Sequence, residues 1–198
     1  MGGAVKSLAM IGGMPLVGHV RARLSGQVGT MIISANRDLQ AHAAWGDAVV
    51  ADREPGMGPM GGLHSALEKV ATEWTFCCPG DTPLLSETLV GQLAQAIEAA
   101  QADVAMPHDG GRSQQLFLLL RSDLRQSLGE YLARGGRSAL GWTESLKCAV
   151  VDAYAERASF LNVNTEKELQ HASSLFHPRA DEVGAGTNSH TNPSRKRS

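Results

Sequence analysis

An eleven-residue stretch, Thr75-Phe76-Cys77-Cys78-Pro79-Gly80-Asp81-Thr82-Pro83-Leu84-Leu85, constrains the fold more than any other part of the chain. A short apolar run of strand type breaks at Pro79-Gly80, and a carboxylate follows at once. A strand that delivers an acid at its C-terminal end is where open α/β sheets place ligand chemistry. A lone acid there suits magnesium, which takes oxygen ligands and usually a substrate phosphate besides. Read by itself, Asp81 is equally a turn residue that caps the next helix.

The same pattern occurs twice upstream. The β-type run from Val28 to Ser34 ends in Ala35-Asn36-Arg37, and the short run Ala48-Val49-Val50-Ala51 ends in Asp52. In a parallel sheet such ends share one edge, so Asn36, Asp52 and Asp81 are expected to line one crevice. Asn36 offers an amide donor and acceptor, Asp52 accepts hydrogen bonds from a base or sugar, and Asp81 holds a metal.

Between these runs the spacing predicts helices. Pro15 starts one whose stripe is Leu16, Val20 and Leu24. Residues 38–45 form a second, and Leu63 to Thr72 a third. The intervening loop, Arg53 to Gly62, holds two prolines and four glycines and has little propensity for regular structure. After Asp81, Ser86 caps a helix marked by Leu89, Leu93 and Ile97. Strands follow at Asp103–Met106, Gln115–Leu120 and Cys148–Asp152, with helices around Leu124, Leu128, Leu132 and over Ser138–Leu146. Thr165-Glu166-Lys167-Glu168 is a capping box that opens the last helix. Strands alternating with helices imply an α/β domain: a mostly parallel sheet covered on both faces. The expected domain covers residues 1–177, and the Gly-, Ser-, Asn- and Pro-rich residues 178–198 form a disordered tail.

Charge narrows the function classes. The chain carries a net −2, and removing the four bases and two acids beyond Pro178 leaves 14 bases against 18 acids. Nothing global attracts nucleic acid, and an anionic substrate has to be met by local donors and a metal. No apolar run approaches the roughly 18 residues of a membrane span, and no charged-then-apolar leader is present. Cys77, Cys78 and Cys148 show neither CxxC nor metal-type spacing, so the expectation is reduced thiols in a cytoplasmic protein.

Several polar residues keep two readings. Lys6 follows a glycine pair and either meets a phosphate or is a solvated lysine near a frayed end. Asn162 and Asn164 flank Val163, so both face one side; they orient a polar substrate or satisfy a buried turn. Arg112 after two glycines meets an anion or lies on the surface. His19, His42, His64 and His108 lack mutual spacing for a metal and read as helix-surface or loop histidines.

Met1-Gly2-Gly3-Ala4-Val5-Lys6-Ser7-Leu8, Ser34-Ala35-Asn36-Arg37, Asp52, Gly58-Pro59-Met60-Gly61-Gly62-Leu63, Cys78-Pro79-Gly80-Asp81-Thr82-Pro83, His108-Asp109-Gly110 and Phe160-Leu161-Asn162-Val163-Asn164-Thr165 together resemble the molybdenum-cofactor guanylyltransferase (MobA) family. The resemblance spans about residues 1–175. It implies a three-layer, Rossmann-like nucleotidyltransferase fold that uses GTP, magnesium and molybdopterin, attaches GMP to the pterin and releases pyrophosphate. Molybdenum-insertion and molybdoenzyme chaperone proteins are implied as partners. By position, Lys6 contacts GTP phosphates, Asn36 and Asp52 contact GTP, Asp81 binds magnesium and nucleotide, and Asn162 and Asn164 line the pterin side. Lys6 and Asp81 are the implied catalytic pair.

Two departures from that pattern stand out. The family pattern places an apolar strand and a Leu-Ala-Gly-Gly-type loop ahead of Met-Gly-Gly, so the domain is expected to be incomplete at its N-terminus. Val5 stands where an aspartate usually precedes the lysine. Alternatives are a CTP-dependent enzyme for the same pterin, a non-catalytic remnant, and, more distantly, a sugar-phosphate nucleotidyltransferase.

Overall fold

The structure, a computed structural model, describes residues 5–54 and 56–176. The expected tail and the Met1-Gly2-Gly3 segment lie outside the described residues. After a 3-10 turn over Lys6–Leu8 come β1 (Met10–Ile11), β2 (Met14–Pro15), α1 (Leu16–Leu24), β3 (Ile32–Ser34), α2 (Leu39–Ala43) and β4 (Ala48–Val50). Then follow α3 (Gly58–Leu67), β5 (Trp74–Cys77), α4 (Leu89–Ala100), β6 (Val104–His108) and β7 (Leu118–Arg121). The chain continues through α5 (Arg125–Ala133), α6 (Ala139–Thr143), β8 (Cys148–Asp152), a 3-10 segment over Tyr154–Phe160, and α7 (Glu166–Phe176).

The main sheet has the order β5-β7-β6-β8. β7 runs antiparallel to both β5 and β6, and β8 runs parallel to β6. Three of the four strands therefore point the same way, with β7 reversed between two of them. β3 and β4 form a separate parallel pair, and β1 and β2 a short antiparallel one.

Alternation along the strands builds two cores, one on each face of the sheet. Ala105, Leu119 and Ala149 face α1 and α4, meeting Val20, Leu24, Leu89, Leu93 and Ile97. Val104, Met106, Leu118 and Leu120 face the other way, onto Met60, Leu63 and Leu67 of α3, Leu128 and Leu132 of α5, and Trp142 of α6. Strands buried on both faces read as continuous apolar runs, which explains Leu116 through Leu120. The result is the expected three-layer arrangement. A third, smaller cluster of Ile11, Leu16, Val163 and Ala172 fastens the β1–β2 hairpin to the final helix.

Several boundaries differ from the sequence reading. The glycine-rich segment read as loop as far as Gly62 is helical from Gly58, with Pro59 in its first turn, and the helix stops at Leu67 rather than Thr72. Burial of Met60, Leu63 and Leu67 outweighs the roughly 1 kcal/mol that each interior glycine costs. α4 begins after Thr88, not Ser86; the Ser86 hydroxyl instead accepts from the Thr88 N–H at 3.2 Å. Pro107 and His108, past the strand end expected at Met106, extend β6 because they pair with Val151 and Asp152 of β8. Gln114 through Phe117 close a turn, so β7 starts only at Leu118.

Candidate functional site

Three segments distant in sequence converge on one cavity of about 540 Å3, whose lining includes Lys6, Ser7, Asn36, Arg37, His42 and Asp81. The first is the 3-10 turn that carries Lys6 and Ser7. The second is the loop between β3 and α2, and the third is the turn after β5.

The turn after β5 is rigidly made. The Thr82 hydroxyl, fully buried, donates to the Pro79 carbonyl at 2.8 Å. The Asp81 carbonyl in turn accepts the Val163 N–H at 3.0 Å, tying this turn to the Asn162–Asn164 segment. Burial pushes the Asp81 carboxyl above the ordinary carboxylate range; the Lys6 charge opposes that shift, and Glu168 reinforces it.

Asn36 and Asp52 are locked together. The Asn36 amide donates to Asp52 Oδ2 at 2.8 Å, and its carbonyl accepts the Asp52 backbone N–H at 2.8 Å. The Ser34 hydroxyl donates to the other carboxylate oxygen at 3.2 Å. The Asp52 carboxylate is thus engaged within the protein and orients Asn36, which alone of the two lines the cavity. Gly62 of α3 abuts this pair, because a Cβ there would lie 2.6 Å from Ser34 Oγ and 3.2 Å from Asp52 Oδ1.

Lys6 reaches Asn164, donating from Nζ to Oδ1 at 2.6 Å. The Asn164 segment is itself anchored by the capping box. Glu168 Oε2 accepts the N–H groups of Asn164 and Thr165 at 2.8 and 2.9 Å, and Thr165 Oγ1 accepts from the Glu168 N–H at 3.2 Å. Those N–H groups hold the Glu168 carboxyl below the usual range. Val163 between the two asparagines is fully buried, so both asparagines keep to the opposite side, as alternation requires.

Five of the six predicted site residues are accounted for around the cavity: Lys6, Asn36 and Asp81 line it, Asp52 orients Asn36, and Asn164 holds Lys6. Asn162 is half-buried and Arg112 exposed, and both stay outside the lining. Asp109, beside Arg112, accepts N–H groups from Gly111 and Arg112 and organises its own turn.

Sequence reasoning missed Ser7, Arg37 and His42. His42 was expected at a helix surface or in a loop, yet only 2% of it is exposed. Arg37 was within reach of the motif, next to Asn36. His42 had one local signal, its position four residues after Asp38 on a short helix, but its partner Ser7 lies 35 positions away.

Among the described residues no group of three or more His, Cys, Asp or Glu side chains could hold a metal by itself. A single carboxylate still fits magnesium, which keeps several waters and takes its other ligands from substrate phosphates. The raised pKa of Asp81 fits the same reading, since a bound cation offsets the cost of its buried charge.

Across residues 1–148 the sequence matches the family described as MobA-like NTP transferase domain. The chain belongs to that family. A molybdenum cofactor guanylyltransferase of Cupriavidus necator is 41% identical over 176 residues, covering 86% of this chain and 88% of the relative. One from Shewanella amazonensis is 35% identical over 174 residues, covering 87% and 89%. Among solved structures, molybdopterin-guanine dinucleotide biosynthesis protein A from Archaeoglobus fulgidus superposes with a TM-score of 0.72 at 21% identity, covering 88% of this chain and 91% of that one. The 2-C-methyl-D-erythritol 4-phosphate cytidylyltransferase of Thermus thermophilus does so with 0.67 at 15% identity, covering 86% and 93%. Both structures share the fold of this MobA-like transferase, and the sheet with one reversed strand belongs to a nucleotidyltransferase.

Proposed function

We infer that this MobA-like transferase moves GMP from GTP onto the terminal phosphate of molybdenum-bearing molybdopterin, releasing pyrophosphate and forming the guanine dinucleotide cofactor. The observation that carries this reading is the meeting of Lys6, Asn36 and Asp81 in one cavity, in a chain of this family. Two polyanions have to be brought together there, and the chain as a whole is acidic, so local charge decides.

The geometry supports a role for each residue. Lys6 supplies positive charge beside the phosphates, and Asn36, held by Asp52, presents fixed polar atoms to the nucleoside. Asp81 would hold magnesium, which when bound neutralises phosphate oxygens and steadies the leaving pyrophosphate. An oxygen of the pterin phosphate attacks the α-phosphorus, and the bond from that phosphorus to the β-phosphate oxygen breaks. No covalent enzyme nucleophile is required; positioning and charge stabilisation suffice. Asn162 and Asn164 face the acceptor side, and the Lys6–Asn164 bond joins the two halves of the site. Delivery of the pterin and hand-over of the product assign partners to molybdenum-insertion and molybdoenzyme chaperone proteins, in the cytoplasm.

The test is transfer of labelled GMP from GTP to molybdopterin in magnesium, with CTP as the competing donor. The expected outcome is transfer from GTP, with Asp81→Ala lowering the rate by at least about 100-fold. Preferential use of CTP would convert the reading to a cytidylyltransferase, and an unimpaired Asp81→Ala would remove the metal role.

A further inference from the structure

His42 is the only acid, base or histidine among the fully buried side chains of the described residues. A histidine in that position carries a desolvation cost that an apolar residue would avoid, unless both ring nitrogens are satisfied. Both are, and each partner belongs to a cavity-bearing segment. Nδ1 lies 3.0 Å from the Asp38 carbonyl, and Nε2 lies 2.9 Å from Ser7 Oγ.

A carbonyl only accepts, so Nδ1 carries a proton, and in that tautomer Nε2 accepts from the Ser7 hydroxyl. The ring is fixed in tautomer and orientation by Asp38, whose backbone is left-handed at φ +51° and whose carbonyl also accepts the His42 N–H at 3.1 Å. Ser7 is bounded on its other side by Gly80, where a Cβ would stand 3.4 Å from the Ser7 Cβ. His42 therefore bridges the loop of Asn36 and Arg37 to the turn of Lys6 and Ser7.

We propose that the Ser7–His42 pair is a positioning strut of the nucleotide site: the buried imidazole holds the Ser7 hydroxyl and so fixes the 3-10 turn that delivers Lys6 to the phosphates. Ser7 and His42 are positioning residues, since neither needs to touch the reacting atoms. The inference rests on the proposed contact between Lys6 and the GTP phosphates. It explains why a short turn that buries none of its own residues can still present a lysine in a defined place.

Magnesium-dependent GTP binding by calorimetry on the full chain tests it. His42→Leu removes the acceptor, Ser7→Ala removes the donor, and His42→Gln restores an acceptor oxygen on a shorter side chain. Each of the first two is expected to weaken GTP binding about 10-fold or more, as small misplacements do. Combined, they should weaken it no further than the worse single change, and His42→Gln should recover most of the loss. In a Lys6→Ala background, His42→Leu should change affinity by less than about 2-fold, because the strut then has nothing to aim.

A general structural defect would persist in that background, and persistence overturns the proposal. Unchanged affinity in both Ser7→Ala and His42→Gln, with a native circular dichroism spectrum, while His42→Leu alone loses binding, likewise overturns it, since the hydrogen bond is then irrelevant. If Lys6→Ala alone leaves GTP affinity intact, the phosphate contact itself is wrong and the strut's purpose falls with it. A Lys6→Ala loss without any His42 or Ser7 effect rejects the strut alone.

Discussion

Asp81 is kept in surroundings that disfavour its charge. Its raised pKa means that the folded chain holds the proton more tightly than the unfolded chain does. Stability from that proton is complete below the ordinary carboxylate range and is lost as pH rises through the folded value. At neutral pH the ionised side chain is therefore a burden on the fold, one that a cation relieves. Asp81→Asn is expected to raise the thermal midpoint by a few degrees at pH 7 while abolishing transfer, with the gain vanishing near pH 3. Magnesium with GTP should raise the midpoint of the natural chain and leave the variant's unmoved. Scanning calorimetry across pH reads both, and an Asp81→Asn chain that melts lower at pH 7 refutes the account. Legibility at this scale was uneven. Asp81, Asn36 and Asp52 announce themselves because each follows an apolar strand directly. Ser7 has no local mark and His42 only its spacing from Asp38, because their meaning is a bond across 35 positions, and single-sequence patterns carry no such distance.

Among the elements, α3 departs most instructively from its sequence. Glycine and proline normally interrupt regular structure, and Gly58-Pro59-Met60-Gly61-Gly62 has three glycines and a proline in five positions. Proline is tolerated in a first turn, and the glycines permit an approach that larger residues forbid. Gly62 lies against Ser34 and Asp52, so the helix braces the residues that orient Asn36. Gly62→Ala gains helix propensity yet puts a methyl 2.6 Å from Ser34 Oγ. The expected net effect is destabilisation of about 1–3 kcal/mol with a weakened grip on GTP, measurable by denaturant unfolding and calorimetry. A more stable variant would show that propensity outweighs the clash. Periodicity located α1, α4 and α5 because long apolar stripes dominate there. It misread α3 because packing, not propensity, selects the glycines.

At the scale of the molecule, the sheet is buried from both sides, and β7 links its halves. Leu120 of β7 is fully buried and packs among α3, α5 and α6 side chains. Leu120→Ala is expected to cost about 2–5 kcal/mol, enough to consume much of the stability of an ordinary domain. A loss below 1 kcal/mol in urea would mean that this face collapses around the gap. The alternation of strand and helix made the layered architecture legible in advance, since that order admits few topologies. The reversal of β7 was not legible, because strand direction depends on which neighbours accept its hydrogen bonds rather than on its own apolar content.

The bond from Lys6 to Asn164 spans 158 positions, and the Val163–Asp81 bond closes over the later part of the same span. Synthesis runs from the lysine toward the asparagines, so a growing chain holds Lys6 and Asp81 long before the residues that join them exist. While α4 through β8 are being added, neither bond can form. Among the described residues, the contacts that fasten Lys6 and the Asp81 turn to the Asn162–Asn164 segment are therefore among the last that a chain leaving the ribosome can form.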